Sequence, residues 1–199
     1  MKRHDVSEEA TRILSYLHSI VIALALTSGI KALVSPTDDL VRSPFALPVD
    51  HLLLFLTFTV TLVPFYHGGA LVFIRIRSAV SLGRQTLLVH LGVLLSEAAM
   101  LFGMAVSLFN IIALISWFIL LLIVDCAWVG LVHVISPEHG ESVAPKAWGL
   151  VNIVMIIFLI AFWNLEPAGV PRYVLLLTAA LLRTGVDYYL GRDYYFPSG

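Results

Sequence analysis

The chain has 199 residues, 59% of them hydrophobic and 13% charged, with a mean hydropathy of +0.94 and a formal net charge of −1. Water-soluble domains carry about one quarter charged residues, so the composition excludes an ordinary aqueous surface. A membrane-crossing helix takes about 20 apolar residues; six of them use up most of the chain, and no separate soluble domain fits in what remains.

The N-terminus is basic at Lys2, Arg3 and His4, as in a signal peptide. However, Ser7-Glu8-Glu9 intervenes, and the first apolar run is too long and lacks a small-residue cleavage site. It is therefore expected to be retained as a first span over about 13–34, entered through a capping box of Asp5 and Glu8. The longest loop follows, with Pro36, Pro44, Pro48 and the acidic pair Asp38-Asp39.

The second span, about 52–74, contains Pro64, Tyr66, His67, Gly68 and Gly69. Pro64 removes a backbone hydrogen bond and predicts a kink. A broken helix beside a histidine can mark a gate, although a packed proline kink is the more ordinary outcome. Arg75, Arg77 and Arg84 make a basic loop. From 85 to 135 the chain is almost continuously apolar, about twice one membrane thickness. Its polar interruption at Ser107-Leu108-Phe109-Asn110 predicts a tight hairpin of spans 85–106 and 110–135. A polar loop at 136–145 leads to span five, about 147–165, and the turn Glu166-Pro167-Ala168-Gly169 to span six, about 170–190.

The expected fold is an all-α membrane protein, one polytopic domain over 1–199 with about six transmembrane helices. Leaving Arg183 aside, eight Lys and Arg fall on the face shared by the two termini and three on the other. Positive residues collect on the cytoplasmic side, so both termini are expected there, and the bacterial inner membrane is the expected location. Tyr188, Tyr189, Tyr194, Tyr195 and Phe196 suit the headgroup boundary and predict a tail lying on the membrane surface.

Ionisable groups inside a bilayer are expensive, so their positions carry the functional signal. His18, His67, His90, Asp125, His133, Arg183 and Asp187 fall in the cytoplasmic half or near the midplane, Glu97 lies near the middle, and the outer half holds little besides Asn164. The simplest account is a polar cavity open to the cytoplasm and closed outside by apolar packing, built from His67, His90, Glu97, Asp125, Arg183 and Asp187. His90 and Glu97 are seven residues apart and share a helix face. Ala99, Gly103 and Ser107 recur every four residues on roughly the opposite face, a seam that admits another helix of the same or another chain. Arg183 can pair with Asp187 one turn away or reach Glu97 or Asp125. Three buried acids against one arginine leave at least one acid unpaired, protonated, solvated or bound to a cation. Glu97 is the candidate proton carrier or cation ligand; the alternative is that these groups only join helices.

The chain lacks His-Glu-x-x-His, Gly-x-Ser-x-Gly and Walker-type motifs, a potassium-filter loop and an Arg-repeat voltage sensor. The single Cys126 rules out an intrachain disulfide and a cysteine-based zinc site. A metal site from His67, His90, Glu97 and Asp125, or haem held by two histidines, has no diagnostic spacing behind it, and no catalytic residue, metal ligand or cofactor is assigned. The expected function is a small homo-oligomer that forms or gates an ion pathway at a symmetry axis; a bacterial membrane effector opened by a cytoplasmic partner or ligand fits the same layout. Its surroundings are the lipid bilayer, and no nucleic-acid partner is expected. The alternatives are a proton-coupled carrier of a small solute, a membrane-embedded enzyme acting on lipid or quinone, and an assembly subunit with a purely structural polar core.

Overall fold

A chain immersed in lipid must satisfy its backbone N–H and C=O groups internally, which leaves helices or closed barrels. The long apolar runs select helices. The computed structural model describes residues 3–34, 48–78, 84–135, 140, 144–164 and 170–196, and contains no strand among them. The long elements are α1 (Arg3–Val34), α2 (Val49–Ser78), α3 (Arg84–Val106), α4 (Ile111–Ile135), α5 (Lys146–Asn164) and α6 (Arg172–Leu190). A single turn, α7 (Arg192–Tyr195), follows. The expected capping contact of Asp5 and Glu8, the segment 35–47, the side chains of Arg77, Arg84 and Asn164, and the turn at 165–169 lie outside the described residues.

Five helices are long and apolar enough to cross a membrane, over Arg12–Val34, Val49–Arg75, Leu88–Val106, Ile111–Ile135 and Lys146–Trp163. Helix α6 has 19 residues but a different character. It buries Leu176, Ala179, Ala180, Arg183 and Asp187, and turns Leu181, Leu182, Val186 and Leu190 outward. The outside of the bundle is apolar elsewhere too: Ile20 and Leu24 on α1, Ile112 and Ile123 on α4, and Leu150, Ile153 and Ile157 on α5 are all exposed. Helices that are apolar all round are at home in lipid.

Helices α3 and α4 form the hairpin. The turn closes with Asn110 N donating to Ser107 O at 2.9 Å, and Asn110 Oδ1 takes the Ala113 N–H at 3.1 Å. Asn110 thus caps α4, satisfying a donor that the helix cannot. Helix α2 runs through Pro64 as one helix. The missing proline N–H frees the carbonyl one turn earlier, and Thr184 Oγ1 of α6 donates to that carbonyl, Val60 O, at 3.2 Å. A neighbouring helix therefore satisfies the group that the proline frees.

The six long helices close a ring. Helix α1 packs on α2 and α3, α3 on α4, α4 on α5, α5 on α6, and α6 back on α2. Along the bundle the interior falls into three zones. At the end farther from the tail, Phe58, Leu101, Met104, Leu114, Phe118, Leu121, Leu159 and Leu176 build an apolar core. At the tail end, Val72, Leu94, Trp128, Val132, Trp148, Tyr194 and Tyr195 build a second, aromatic one. Between them, on four successive helices, lie Glu97 (α3), Asp125 (α4), Asn152 (α5), and Arg183 and Asp187 (α6), all buried.

Candidate functional site

Each residue of the middle layer reaches the interior because it replaces an apolar residue on the inward stripe of its helix. Glu97 lies between Leu94 and Ala98, Asp125 between Leu122 and Trp128, and Asn152 between Trp148 and Met155, all of these neighbours being buried core residues. Arg183 and Asp187 continue the inward stripe of Leu176 and Ala180 at helical spacing.

Asn152 is the centre of the network. Its Oδ1 accepts from Arg183 Nε at 3.1 Å and Nη2 at 2.8 Å, and its Nδ2 donates to Asp125 Oδ2. The amide thereby relays between the guanidinium and the carboxylate, in place of the direct pairing with Asp187, Glu97 or Asp125 that the sequence allowed. The guanidinium also lies over the Phe65 ring, 4.8 Å from its centroid, a favourable arrangement for a cation. The Glu97 and Asp125 carboxyl groups, both buried, meet at the same cavity and interact with each other. Ionised carboxylates only accept, so a direct hydrogen bond between the two would take a proton shared by the pair.

Asp187 takes a different partner. Its Oδ2 accepts the Tyr195 hydroxyl at 3.0 Å. Tyr194 and Tyr195 are buried, which corrects the expectation of a surface tail at these two residues, while Tyr189 and Phe196 stay exposed. The reason is local: after α6 the chain turns at Gly191, with Gly191 N on Asp187 O at 2.8 Å and Tyr195 N on Gly191 O at 2.9 Å. A Cβ at Gly191 would lie 3.0 Å from both Asp187 O and the Tyr195 ring, so any larger residue would push the turn outward by a few tenths of an ångström. Arg75 clamps the turn, its Nη2 donating to Tyr194 O at 2.9 Å and its guanidinium stacking 3.7 Å over the Tyr194 ring. Burial pushes the Tyr194 phenol above its ordinary range, with Arg75 opposing. It does the same at Tyr195, where the Asp187 carboxylate adds to the effect. Both stay neutral at physiological pH, and Tyr195 stays a donor.

A small cavity of about 20 Å³ lies between this aromatic cover and the polar layer. Pro64, Phe65, Gly68, Gly69, Leu94, Trp128, Trp148 and Tyr195 line it together with Glu97, Asp125, Arg183 and Asp187. Four of the six residues assigned to a polar cavity from sequence are thus brought to one place. The two histidines are not among its lining. His90 is buried and accepts from Trp128 Nε1 at 2.9 Å, and half-buried His67 is hydrogen-bonded to the Tyr188 hydroxyl at 3.1 Å. Among the described residues no three His, Cys, Asp or Glu side chains are grouped to hold a metal ion.

The small-residue seam divides. Gly103 is buried against Trp117 of α4, where a Cβ would come within 2.7 Å of the indole; Ala99 is exposed and Ser107 half-buried. Residues four apart drift about 40° around a helix of 3.6 residues per turn, so one neighbour cannot cover all three.

Asn152 and Tyr195 are the functional candidates that sequence reasoning missed. A polar residue interrupting an apolar run was the available signal for Asn152. No family model, curated protein or solved structure matches the chain.

Proposed function

We propose that the chain is a proton-coupled membrane carrier of a small solute, with α6 as a sixth span and both termini cytoplasmic. One observation carries this reading: two carboxyl groups buried side by side at one cavity inside the bundle, where a shared proton would relieve their repulsion. The pair lies beside a buried arginine held by Asn152, with the apolar core on one side and an aromatic cover on the other. Loading such a pair changes the charge of a layer shared by four helices, and charge inside a bilayer is costly enough to shift helix packing. The basic residues at the tail end, Arg75 and Arg192 among them, support a cytoplasmic orientation for that end. An ion pathway through a single protomer has less support, because the cavity is about 20 Å³ and the far half is filled with packed side chains.

The test is flux in liposomes carrying the purified chain, with internal pH followed under an imposed gradient and a panel of small acids, amines and neutral solutes outside. Saturable, solute-dependent proton movement in the wild type that is lost in Glu97→Gln is the expected result. A current that rises with voltage without saturating, and needs no solute, would instead favour an ion pathway between protomers. Proton movement indifferent to Glu97→Gln would remove the carboxyl pair from the function.

A further inference from the structure

The cavity has a chemistry of its own. Among the described residues, buried Glu97 Oε1, Arg183 Nη1 and Trp148 Nε1 have no hydrogen-bond partner, and all three residues line the cavity. Glu97 and Arg183 are 4% and 6% exposed, so bulk solvent does not satisfy them. A buried polar group without a partner costs about 1–3 kcal/mol, and here one acceptor and two donors converge on one space.

The donor and acceptor set selects the occupant. A cation would meet the guanidinium and the indole N–H, and an anion would meet the carboxyl pair and Asp187. A neutral molecule that both accepts and donates meets neither penalty. The volume narrows the choice further, since about 20 Å³ exceeds the roughly 10–15 Å³ that one water requires. A buried water makes about two to four hydrogen bonds. Arg183 Nη1 and Trp148 Nε1 supply two to its oxygen, and Glu97 Oε1 and Asp187 can take its two hydrogens.

We propose that this cavity is a binding site for one water molecule, which bridges Arg183 and Glu97 and carries protons between Asp187 and the Glu97–Asp125 pair. The inference rests on the proton-binding reading above and gives it a route. In one transfer the water gives a proton to Glu97 Oε1 and takes one from a protonated Asp187. The water is regenerated, Asp187 is left as a carboxylate hydrogen-bonded by Tyr195, and the carboxyl pair has gained one proton. No bond between heavy atoms is made or broken. Without the water, Glu97 Oε1 has no donor from which to load.

Gly68 provides a variant that acts on the cavity and spares the fold. A Cβ there would sit 3.4 Å from Trp148 and 3.7 Å from the Tyr195 hydroxyl, ordinary contacts, so Gly68→Ala adds a methyl group to the cavity wall without a clash. Gly185→Ala, which meets nothing within 4 Å, is the control. Infrared spectra of the full chain in lipid nanodiscs should show a protonated-carboxyl stretch that is lost in Glu97→Gln. They should also show an ordered-water O–H stretch that shifts in heavy-oxygen water. In Gly68→Ala the water band disappears and deuterium exchange of the carboxyl slows by about tenfold, the cost of one lost hydrogen bond; Gly185→Ala behaves as wild type. A carboxyl band without any oxygen-sensitive water band, or exchange in Gly68→Ala as fast as in wild type, overturns the water site and leaves the carboxyl pair standing. No protonated-carboxyl band at all overturns the proton-binding reading, and the water relay with it.

Discussion

The far half of the bundle and the layer beneath the aromatic cover are held together by different physics. In the far half, Phe58, Phe118, Leu121 and Leu159 fit one another without a directional bond. Even its buried hydroxyls keep to themselves, Thr57 donating to Leu53 O and Thr61 to Thr57 O on their own helix, each at 2.9 Å. Lipid is as apolar as leucine, so no hydrophobic force drives these helices together, and close packing must do so. In the polar layer the contacts are directional and belong to particular atoms: Asn152 faces both Asp125 and Arg183, and Tyr195 faces Asp187. The far half should therefore tolerate a change of residue at constant volume. The layer should fail under the same kind of change, because each lost partner leaves another group buried and unpaired.

The largest effect is expected where packing has no slack. Gly103→Leu drives a side chain into the Trp117 indole and should cost at least about 3 kcal/mol, the upper end for overpacking. Because the contact is between α3 and α4 of one chain, the loss should appear as lower thermal stability of the protomer in detergent. A stable protomer with an altered oligomer size would instead assign Gly103 to a contact between chains.

Next comes a matched pair. Asn152→Leu keeps the volume but removes both bonds to Arg183 and the donor to Asp125, and should cost about 2–3 kcal/mol. Leu159→Met, in the far core, should cost under about 1.5 kcal/mol. Unfolding titrations of the two variants side by side read the contrast, and equal losses would abolish the distinction between the two regions.

The same contrast explains what the sequence discloses. Glu97, Asp125, Arg183 and Asp187 stand out because a charge in an apolar run needs a reason, and all four line the cavity. His67 and His90 carry the same signal for another cause: each is the hydrogen-bond partner of an aromatic side chain, Tyr188 and Trp128. Asn152 is polar but uncharged, so a search for ionisable groups passes over it. Tyr195 could not be read as buried, since a tyrosine beside a membrane helix ordinarily sits among headgroups, and its burial follows from a turn at Gly191 and a clamp by Arg75, 119 residues away from Tyr194 in sequence. Helices follow from local apolar runs, whereas the partners of a buried group follow from the ring closure, which no local pattern encodes.

A smaller effect tests the aromatic cover. Tyr195→Phe keeps the ring against Trp148 and removes the donor to Asp187, and should cost about 1 kcal/mol. The phenols of Tyr194 and Tyr195 are raised in the docked tail above their value in an undocked one. Docking is therefore fully stable below the ordinary phenol value, about 10, and weakens as pH rises above it, when only the undocked tyrosines ionise. Proteolysis of the tail across alkaline pH should show release in the wild type and a shallower dependence in Tyr195→Phe. Release at acidic pH would contradict the direction.

The smallest expected effect separates a proline's damage from its repair. Pro64 leaves Val60 O without a helical donor, and Thr184 supplies one from α6 at 3.2 Å. Thr184→Val is nearly isosteric, so packing between α2 and α6 stays and only the hydroxyl goes. Hydrogen bonds between membrane helices average about 0.6 kcal/mol, and a loss of that size is the expected result. If Pro64→Ala is introduced as well, α2 regains its own N–H donor to Val60 O, and the Thr184 hydroxyl becomes redundant. The double variant should then be no less stable than Pro64→Ala alone. A full additive loss in the double variant would mean that Thr184 acts through something other than the carbonyl that the proline frees.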